Sequence, residues 1–305
     1  MGTESSPEKN PTNPTKVKCN KKVIVVALAL ALLIAVGVLL PTVIIPKVKS
    51  MPQNVFMFKK LSDGTYMIIG VKGSPSSVVI PETYRGKPVK QIDWGAFHGC
   101  TSITSIEIPD TPLTIPYLAF YDCVSLVKAK IPAEAISYIP KGKLTTLEIT
   151  SGYVEYKAFE GCTSLKSVVI YDEVSWLSDY AFTGCTGLTS VTIGNGVRFI
   201  GEKAFFGCTS LTTLKIGNGV TDIDRFAFSV CSNLTSVVIP DSVTRVGYSA
   251  FSGCFNLTIY CEATSQPATW DSYWNPNCPA YWYSETQPTS TGNYWHYVNG
   301  VVTKW

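Results

Sequence analysis

The chain has 305 residues, of which 46% are hydrophobic and 15% charged, and its formal net charge is +3 at pH 7. This length allows one extended domain or two compact ones. The first 22 residues hold five lysines and two glutamates, so the rest of the chain is neutral. A neutral chain lacks the basic surface of a nucleic-acid-binding protein, and we expect no nucleic-acid partner.

The N-terminus predicts a membrane anchor. Residues 1–22 are rich in Pro, Asn, Ser, Thr and Lys, which indicates a disordered basic tail on the cytoplasmic side. Residues 23–46 contain no charged side chain, and a helix of that length spans a bilayer at about 1.5 Å per residue. We interpret this run as an uncleaved signal-anchor helix. The protein would then be a single-pass protein of the cell membrane with its C-terminal domain extracellular.

The alternative is a cleaved signal peptide, which Lys21 and Lys22 would suit. Secretory apolar regions, however, are only about 7–15 residues long and end at a small-residue cleavage site. This run ends in PTVIIPKVKS, which offers no such site. Lysines flank both sides of the run, so the orientation is inferred mainly from the position of the foldable part, all of which follows the run.

Residues 47–77 are predicted to form a linker and an N-terminal cap. In FMFKKLSDGTYMIIGV, Asp63-Gly64 lies between two runs with a β-strand pattern. This dipeptide between alternating apolar residues is the strongest short-range signal for a β-hairpin.

Residues 78–262 contain an internal repeat. A cysteine follows an Ala-Phe pair at a fixed offset seven times, and the successive separations are 23, 39, 23, 23, 23 and 23 residues. These cysteines are Cys100, Cys123, Cys162, Cys185, Cys208, Cys231 and Cys254. Each precedes a strand pattern such as Leu211-x-x-Leu214-x-Ile216, and a period of 20–29 residues with this pattern is the leucine-rich-repeat signature.

The slots of the repeat predict a solenoid. Strand alternation directs Val237 and Ile239 inward and Val238 outward, and a Pro or Gly ends the strand. The Ala-Phe pair then fills the core from the opposite side. We expect a parallel β-sheet on the concave face and short helices or turns on the convex face, with each repeat stabilised by its neighbours. In the 39-residue interval, AEAISYIPKGK replaces the Ala-Phe-Cys segment, which predicts a full strand with a compressed convex side.

The outward strand positions are the candidate binding residues of the concave face. They are Glu107, Lys130, Glu148, Val169, Thr192, Lys215 and Val238. This set is mixed rather than strongly charged or aromatic. It fits a solvated sheet as well as it fits a contact surface.

Residues 263–305 are predicted to form an aromatic C-terminal cap, with Asn299-Gly300 as the turn of a second hairpin. The segment is also similar to one choline-binding or cell-wall-binding repeat, in which aromatic faces hold a quaternary ammonium or a sugar. Under that alternative, the ligand site would comprise Trp270, Trp274, Trp282, Trp295 and Tyr297. Such modules build their sites between successive hairpins, and the single copy here favours a cap.

Ten cysteines in an exported domain raise the question of disulfides. Their recurrence once per repeat favours structural thiols, since free cysteine behaves as a small buried hydrophobe. Cys261 and Cys278 lie outside the repeat register and are the candidate disulfide pair. The absence of a C-x-x-C motif and the presence of only two histidines argue against a metal site, a cofactor and a catalytic triad. We therefore expect a protein that is not an enzyme.

The A-F-x-G-C-T-S-L-x-x-V-x-I-P/G units, the leading D-G-T-Y hairpin and the trailing Y-W-x-Y-V-N-G hairpin resemble the BspA-like class of bacterial leucine-rich-repeat surface proteins. The resemblance covers roughly residues 55–305. It implies a cell-surface adhesin or protein-interaction module, with an extracellular protein or glycan as its ligand.

Overall fold

The computed structural model of the protein describes residues 55–305. The predicted tail 1–22, the predicted membrane helix 23–46 and the start of the linker lie outside these residues. Within the described part, the structure contains no helix that is both long and apolar enough to cross a bilayer. The chain divides into two compact units, one of them Ile44–His296 with Val302–Trp305. Of the other unit, only residues 297–301 are described.

The described residues form mainly short strands. In chain order these are β1 (Phe56–Lys60), β2 (Tyr66–Val71), β3 (Ser77–Val79), β4 (Thr83–Tyr84), β5 (Lys87–Ile92), β6 (Ser105–Glu107), β7 (Lys128–Ile131), β8 (Thr146–Val154), β9 (Ser167–Leu177), β10 (Ser190–Ile193), β11 (Phe199–Ile200), β12 (Thr213–Lys215), β13 (Asp222–Ile223), β14 (Ser236–Ile239), β15 (Arg245–Val246), β16 (Thr258–Cys261), β17 (Ala280–Tyr283), β18 (Tyr294–Val298) and β19 (Val301–Lys304). A 3₁₀ helix spans Ala133–Tyr138.

The repeats form a parallel-strand solenoid, as the repeat pattern predicts. Strands β3, β6, β7, β8, β9, β10 and β12 pair in parallel, and we call them the long sheet. Strands β14, β16, β17 and β18 continue the parallel arrangement in a second group. The ends of β8 and β9 pair with each other, and β11, β13 and β15 follow in parallel as a lateral sheet. Each coil therefore contributes one strand to the long sheet or to the second group of parallel strands. Most coils from β8 onward also add a short strand to the lateral sheet.

An antiparallel hairpin precedes the coils. Strands β1 and β2 pair around Asp63 and Gly64, and Gly64 has a φ of 83°. The Asp63 carboxylate accepts hydrogen bonds from the amide and the hydroxyl of Thr65, at 2.9 and 2.6 Å. These bonds close the turn. At the other end of the chain, Asn299 and Gly300 have φ values of 52° and 77° between β18 and β19, as a type I′ turn requires.

A column of phenylalanines fills the core of successive coils. Each ring comes from an Ala-Phe pair and is at most 1% exposed. The rings stack nearly parallel in two runs, Phe97 with Phe120 and then Phe159 through Phe251, which the 39-residue interval separates. For example, the ring centroids of Phe159 and Phe182 are 5.2 Å apart, and those of Phe182 and Phe205 are 5.0 Å apart. The last phenylalanine, Phe251, meets Trp274 edge-on at 6.0 Å. A tryptophan thus ends the column.

The repeat cysteines are packing residues. The Cys185 thiol donates to the backbone oxygen of Phe159 in the preceding coil at 3.1 Å, and the same contact recurs along the column. Burial raises the pKa of Cys123 and Cys208 to about 12, so these thiols stay protonated and unreactive at neutral pH. The nine cysteines of the described residues are all free thiols.

Of the two cysteines predicted to lie outside the cysteine register, Cys261 does so, whereas Cys278 takes the position of a repeat cysteine. Cys261 pairs with Ile239 at the inward end of β16 and is fully buried. Cys278 donates to the backbone oxygen of Phe251 at 3.4 Å, as the repeat cysteines do to their own phenylalanines. Sequence spacing missed this because 24 residues, rather than 23, separate Cys278 from Cys254.

The 39-residue interval contains a full strand, β8, and an altered turn side. The 3₁₀ helix replaces the Ala-Phe segment there and buries Ala133, Ala135 and Ile136. Lys141 follows it, and its ammonium donates to the backbone oxygen of Ala158 at 2.6 Å. In regular coils the corresponding alanine oxygen accepts the amide of the previous phenylalanine, as between Phe159 and Ala181 at 2.7 Å. Lys141 therefore supplies the donor that the missing phenylalanine would have supplied.

Candidate interaction face

Six of the residues predicted for the concave face form one continuous row across the long sheet. The parallel register pairs each with its counterpart in the next coil. We call this set the sheet row, which runs Glu107, Lys130, Glu148, Val169, Thr192 and Lys215. The flanking strand residues, such as Val191 and Ile193, are buried, so alternation directs the row away from the core.

Val238, the seventh predicted residue, lies in the second group of parallel strands. It pairs with Tyr260 of β16, and Tyr260 pairs with Tyr281 of β17. The two tyrosines occupy the outward slot that Val238 occupies, although neither was predicted for the face. The strand of Tyr260 follows Cys254 in the usual order, whereas that of Tyr281 has no Ala-Phe pair before it. The Lys304 ammonium lies 4.3 Å from the ring centroid of Tyr281. This end of the face is therefore aromatic rather than mixed.

Hydrogen bonds fix the charges at the N-terminal end of the sheet row. The Lys130 ammonium lies 2.9 Å from Glu107 Oε1, and the Tyr171 hydroxyl donates to Glu148 Oε2 at 2.6 Å. Burial, together with that bond to Glu148, raises the pKa of Tyr171. The Lys130–Glu107 pair is partly solvated, so it contributes little to stability. It does hold the two side chains in place on the face.

A hollow of about 360 Å³ opens in the middle of the sheet row. It is lined by Val169, Ile170, Tyr171, Asp172, Glu173, Thr192, Ile193, Gly194, Asn195 and Lys215. Side-chain oxygens that accept backbone amides hold its rim, since Asp172 Oδ1 accepts the backbone amide of Asn195 at 2.6 Å and Asn195 Oδ1 accepts the backbone amide of Asn218 at 3.0 Å. The hollow offers an apolar wall, an ammonium and two carboxylates within one concavity, which suits one side chain of a protein partner.

A larger groove of about 760 Å³ lies where the repeat is interrupted. Its lining includes Lys90, Asp110, Thr111, Glu134 and Tyr138. Asp110 Oδ1 accepts hydrogen bonds from the Thr150 and Ser151 hydroxyls, each at 2.6 Å, while the buried Thr111 hydroxyl has no partner within the described residues. This groove was not predictable from the repeat, because its walls come from turns without a repeat pattern. The 39-residue interval was the available signal.

The five aromatic residues of the predicted alternative site do not form one exposed platform. Trp270, Trp274 and Trp295 are at most 4% exposed, Trp282 is half-buried, and Tyr297 is 43% exposed. The indole of Trp270 donates to Val243 O at 3.2 Å, and that of Trp295 donates to Cys261 O at 2.9 Å. Three of the rings are thus core residues that close the last coils. Their faces are not available to choline or a sugar, contrary to what that alternative requires.

The two histidines are separated in the fold. His98 is exposed and stacks on Tyr121 with ring centroids 5.5 Å apart, whereas His296 lies against Trp305 at 3.6 Å. Among residues 55–305, no group of three or more His, Cys, Asp or Glu side chains is arranged to hold a metal ion.

Comparisons with known proteins agree with the repeat pattern. A family model described as "BspA type Leucine rich repeat region" matches residues 74–151 and 141–258 in six copies. A search of curated proteins gives no match.

Solved structures of bacterial leucine-rich-repeat proteins are similar to this chain. The leucine-rich repeat protein of T. pallidum is 26% identical, with 68% of this chain and 91% of that chain covered and a TM-score of 0.41. A leucine-rich cell surface protein from Faecalibacterium prausnitzii is 31% identical, with 71% of this chain and 55% of that chain covered and a TM-score of 0.41. This chain therefore spans about half of the second protein. Because the family model covers more than half of the sequence, the chain belongs to the family of BspA-type leucine-rich-repeat proteins.

Proposed function

We propose that this protein binds a protein partner at the cell surface through the sheet row and acts by binding rather than by catalysis. Membership of a leucine-rich-repeat family supports a role in protein-protein interaction. The hollow at Val169, Thr192 and Lys215 carries the proposal, because it gives the sheet row a place to receive an anchoring side chain. The partner would be an extracellular protein, and the result would be adhesion.

We also propose a role for each segment of the chain. Residues 1–22 form the cytoplasmic tail, 23–46 the membrane anchor, 47–77 the linker and first cap, 78–262 the repeats and 263–305 the aromatic cap. The uncharged run at 23–46 supports the anchor because its length suits one bilayer crossing.

Two variants of the full-length protein test the sheet row. Thr192→Trp fills the hollow, and Lys215→Glu reverses its one cationic wall. Each should weaken capture of fibronectin or laminin from purified preparations by about tenfold or more, since interface hot spots are worth about 2 kcal/mol or more. Lys143→Glu, at an exposed position outside the hollow, is the matched charge control. If both hollow variants bind as the unaltered protein does, the sheet row is not the contact surface.

Protease treatment of intact cells tests the anchor and its orientation together. With the proposed orientation, external protease should remove residues after 46 while an epitope placed within residues 1–22 stays protected until the cells are lysed. Protection of both ends in intact cells would contradict the surface location.

A further inference from the structure

A row of long side chains runs along the turns that precede five Ala-Phe pairs and, in the last coil, Trp274, outside the sheet row. Six successive coils each contribute one member, and five of the six members are aromatic. We call this set the ring ladder, and it comprises Tyr156, Tyr180, Lys203, Phe226, Tyr248 and Tyr273. The backbone aligns these turns, since the Tyr180 amide donates to Glu202 O at 2.9 Å and the Phe226 amide to Tyr248 O at 3.1 Å.

The members of the ring ladder touch one another from one coil to the next. The ring centroids of Tyr156 and Tyr180 are 5.7 Å apart, those of Phe226 and Tyr248 are 5.6 Å apart, and those of Tyr248 and Tyr273 are 6.4 Å apart. Lys203 bridges the remaining step, with its ammonium 5.2 Å from the Tyr180 ring and 5.6 Å from the Phe226 ring. The ring ladder is therefore continuous and repeats with the coil spacing of about 4.8 Å.

Much of this aromatic surface faces solvent. Tyr156 is 60% exposed, Tyr248 49% and Tyr273 64%, while Tyr180 and Phe226 are half-buried between them. Single exposed apolar residues are ordinary on a protein surface, but a contiguous line of them marks an interaction site more often than chance.

The backbone opposes large side chains at three of these positions. Tyr180, Lys203 and Phe226 have φ values of 60°, 53° and 57°, in the left-handed region that glycine favours. The cost is about 1–2 kcal/mol for each such residue. Two of these three coils use glycine at their other left-handed position, Gly184 and Gly207 with φ values of 71°, whereas the third has Val230. Two rings and a lysine thus occupy positions where the backbone favours glycine, and Lys157 and Ser249 occupy the same slot in the neighbouring coils.

Each of the three cations in and beside the ring ladder is paired with a carboxylate, and two of them share one. Arg225 and Lys203 both pair with Glu202, at 2.7 and 3.6 Å, and Lys157 pairs with Glu160 at 3.1 Å. A charged partner would have to displace these carboxylates. The charge pattern is thus complementary to an uncharged ligand, which the exposed ring faces would recognise.

We propose that the ring ladder binds a neutral glycan chain. The C–H faces of successive sugars would stack on the exposed rings of Tyr156, Tyr248 and Tyr273, and sugar hydroxyls would bond to the tyrosine hydroxyls. An extended polymer fits a line that is one ring wide and six coils long. A folded protein fits it less well, since a specific protein interface covers about 800 Å² on each side.

Affinity electrophoresis of the full-length protein in detergent tests the proposal, with a neutral β-glucan, a neutral mannan and acidic alginate each cast in the gel. At least one neutral glycan should retard the protein. The triple variant Tyr156→Ser, Tyr248→Ser, Tyr273→Ser should lose at least tenfold in apparent affinity. Retardation should persist at about 1 M salt, where charge interactions are screened beyond about 3 Å.

The matched control replaces two exposed aromatic residues outside the ring ladder, Tyr117→Ser and Phe255→Ser, which are 76% and 74% exposed. The control should bind as the unaltered protein does. The proposal is overturned if neither neutral glycan retards the protein, if only alginate does, or if the triple variant and the control lose binding equally. The proposal would also be overturned if the triple variant bound glycan normally but no longer captured fibronectin, because the ring ladder would then serve a protein partner.

Discussion

At the scale of single residues, Lys141 shows how a repeat tolerates a defective coil. Its side chain donates to Ala158 O at 2.6 Å and lies over the Phe159 ring, with its nitrogen 5.1 Å from the ring centroid. Burial lowers the pKa of Lys141. Burying the charged lysine therefore costs free energy. Its hydrogen bond to the backbone oxygen of Ala158, directly before Phe159, offsets that cost.

Replacing Lys141 should show how far the stability of the fold depends on this hydrogen bond. Lys141→Met keeps the apolar stem but leaves Ala158 O without its donor. Because Ala158 is only partly buried, the cost is near the lower end of the range for an unsatisfied buried acceptor, about 1 kcal/mol. We expect the free energy of unfolding, measured by urea denaturation, to fall by that amount. Lys143→Met, two residues on and exposed, should change it by no more than about 0.5 kcal/mol. Equal effects of the two substitutions would mean that the bond is dispensable.

Val230 is the opposite case, a residue that the local backbone disfavours. It occupies the slot of the glycine in A-F-x-G-C with a φ of 62°, where a β-branched side chain is strained. Val230→Gly should raise the free energy of unfolding by about 0.5–1 kcal/mol, because the relief of strain exceeds the entropy cost of glycine. Val124→Gly, at an exposed turn residue whose φ is not positive, should lower it. Thermal unfolding of the two variants compares their stabilities. A loss of stability in both would show that Val230 is not strained in the folded protein.

Residue patterns predicted the inside and outside of the strands well. Val237 and Ile239 are buried and Val238 is half-buried, as strand alternation requires. Lys141 was not predictable, because its role depends on a contact across the one interval where the pattern fails. The repeat position of Cys278 was not predicted for a related reason. One additional residue shifts its spacing in the sequence, although its side chain packs as the repeat cysteines do.

At the scale of elements, the turn after each repeat strand decides how a coil bends. Pro109, Pro132, Gly194, Gly217 and Pro240 end their strands, as the sequence predicts. In β8 and β9 the slot holds Thr150 and Tyr171 instead, and both strands continue round the corner into the lateral sheet. Two register shifts and Gly152, with a φ of 87°, turn β8 there. The sequence pattern did not distinguish these continuous corners, where the strand runs on, from the broken corners, where Pro or Gly ends the strand.

Glycines at the broken corners permit close approach of neighbouring coils. A Cβ atom added to Gly219 would lie 1.7 Å from Asn195 O, so the backbone would have to move. Gly219→Ala should therefore lower the free energy of unfolding by about 1–3 kcal/mol, the usual cost of overpacking. Gly142→Ala, where an added Cβ has no atom within 4 Å, should leave it unchanged or slightly raised. Circular dichroism melts of both variants measure the difference, and a Gly219→Ala protein as stable as its control would show that the coils can separate freely.

At the scale of the whole molecule, the column of buried thiols couples stability to pH. Burial raises the pKa of Cys123, Cys208 and Cys278 to about 12, whereas a thiol in the unfolded chain has a pKa of about 8.5. The thiols therefore contribute their full stabilisation below about pH 8.5. Above that pH, unfolding releases protons and the free energy of unfolding falls, until the folded thiols ionise near pH 12.

The expected slope is about 1.4 kcal/mol per pH unit for each such thiol, so denaturation midpoints should drop steeply between about pH 9 and 11. Lysines and tyrosines also titrate in this range, but they are the same in a Cys123→Ala, Cys208→Ala variant. That variant should be less stable than the unaltered protein at pH 7, because two cavities are created, and its stability should fall less steeply with pH. Urea denaturation under reducing conditions at pH 7, 9 and 10 measures both slopes. Parallel curves would mean that the two thiols ionise as readily in the folded coils as in the unfolded chain, and the column would then have no part in the alkaline loss of stability.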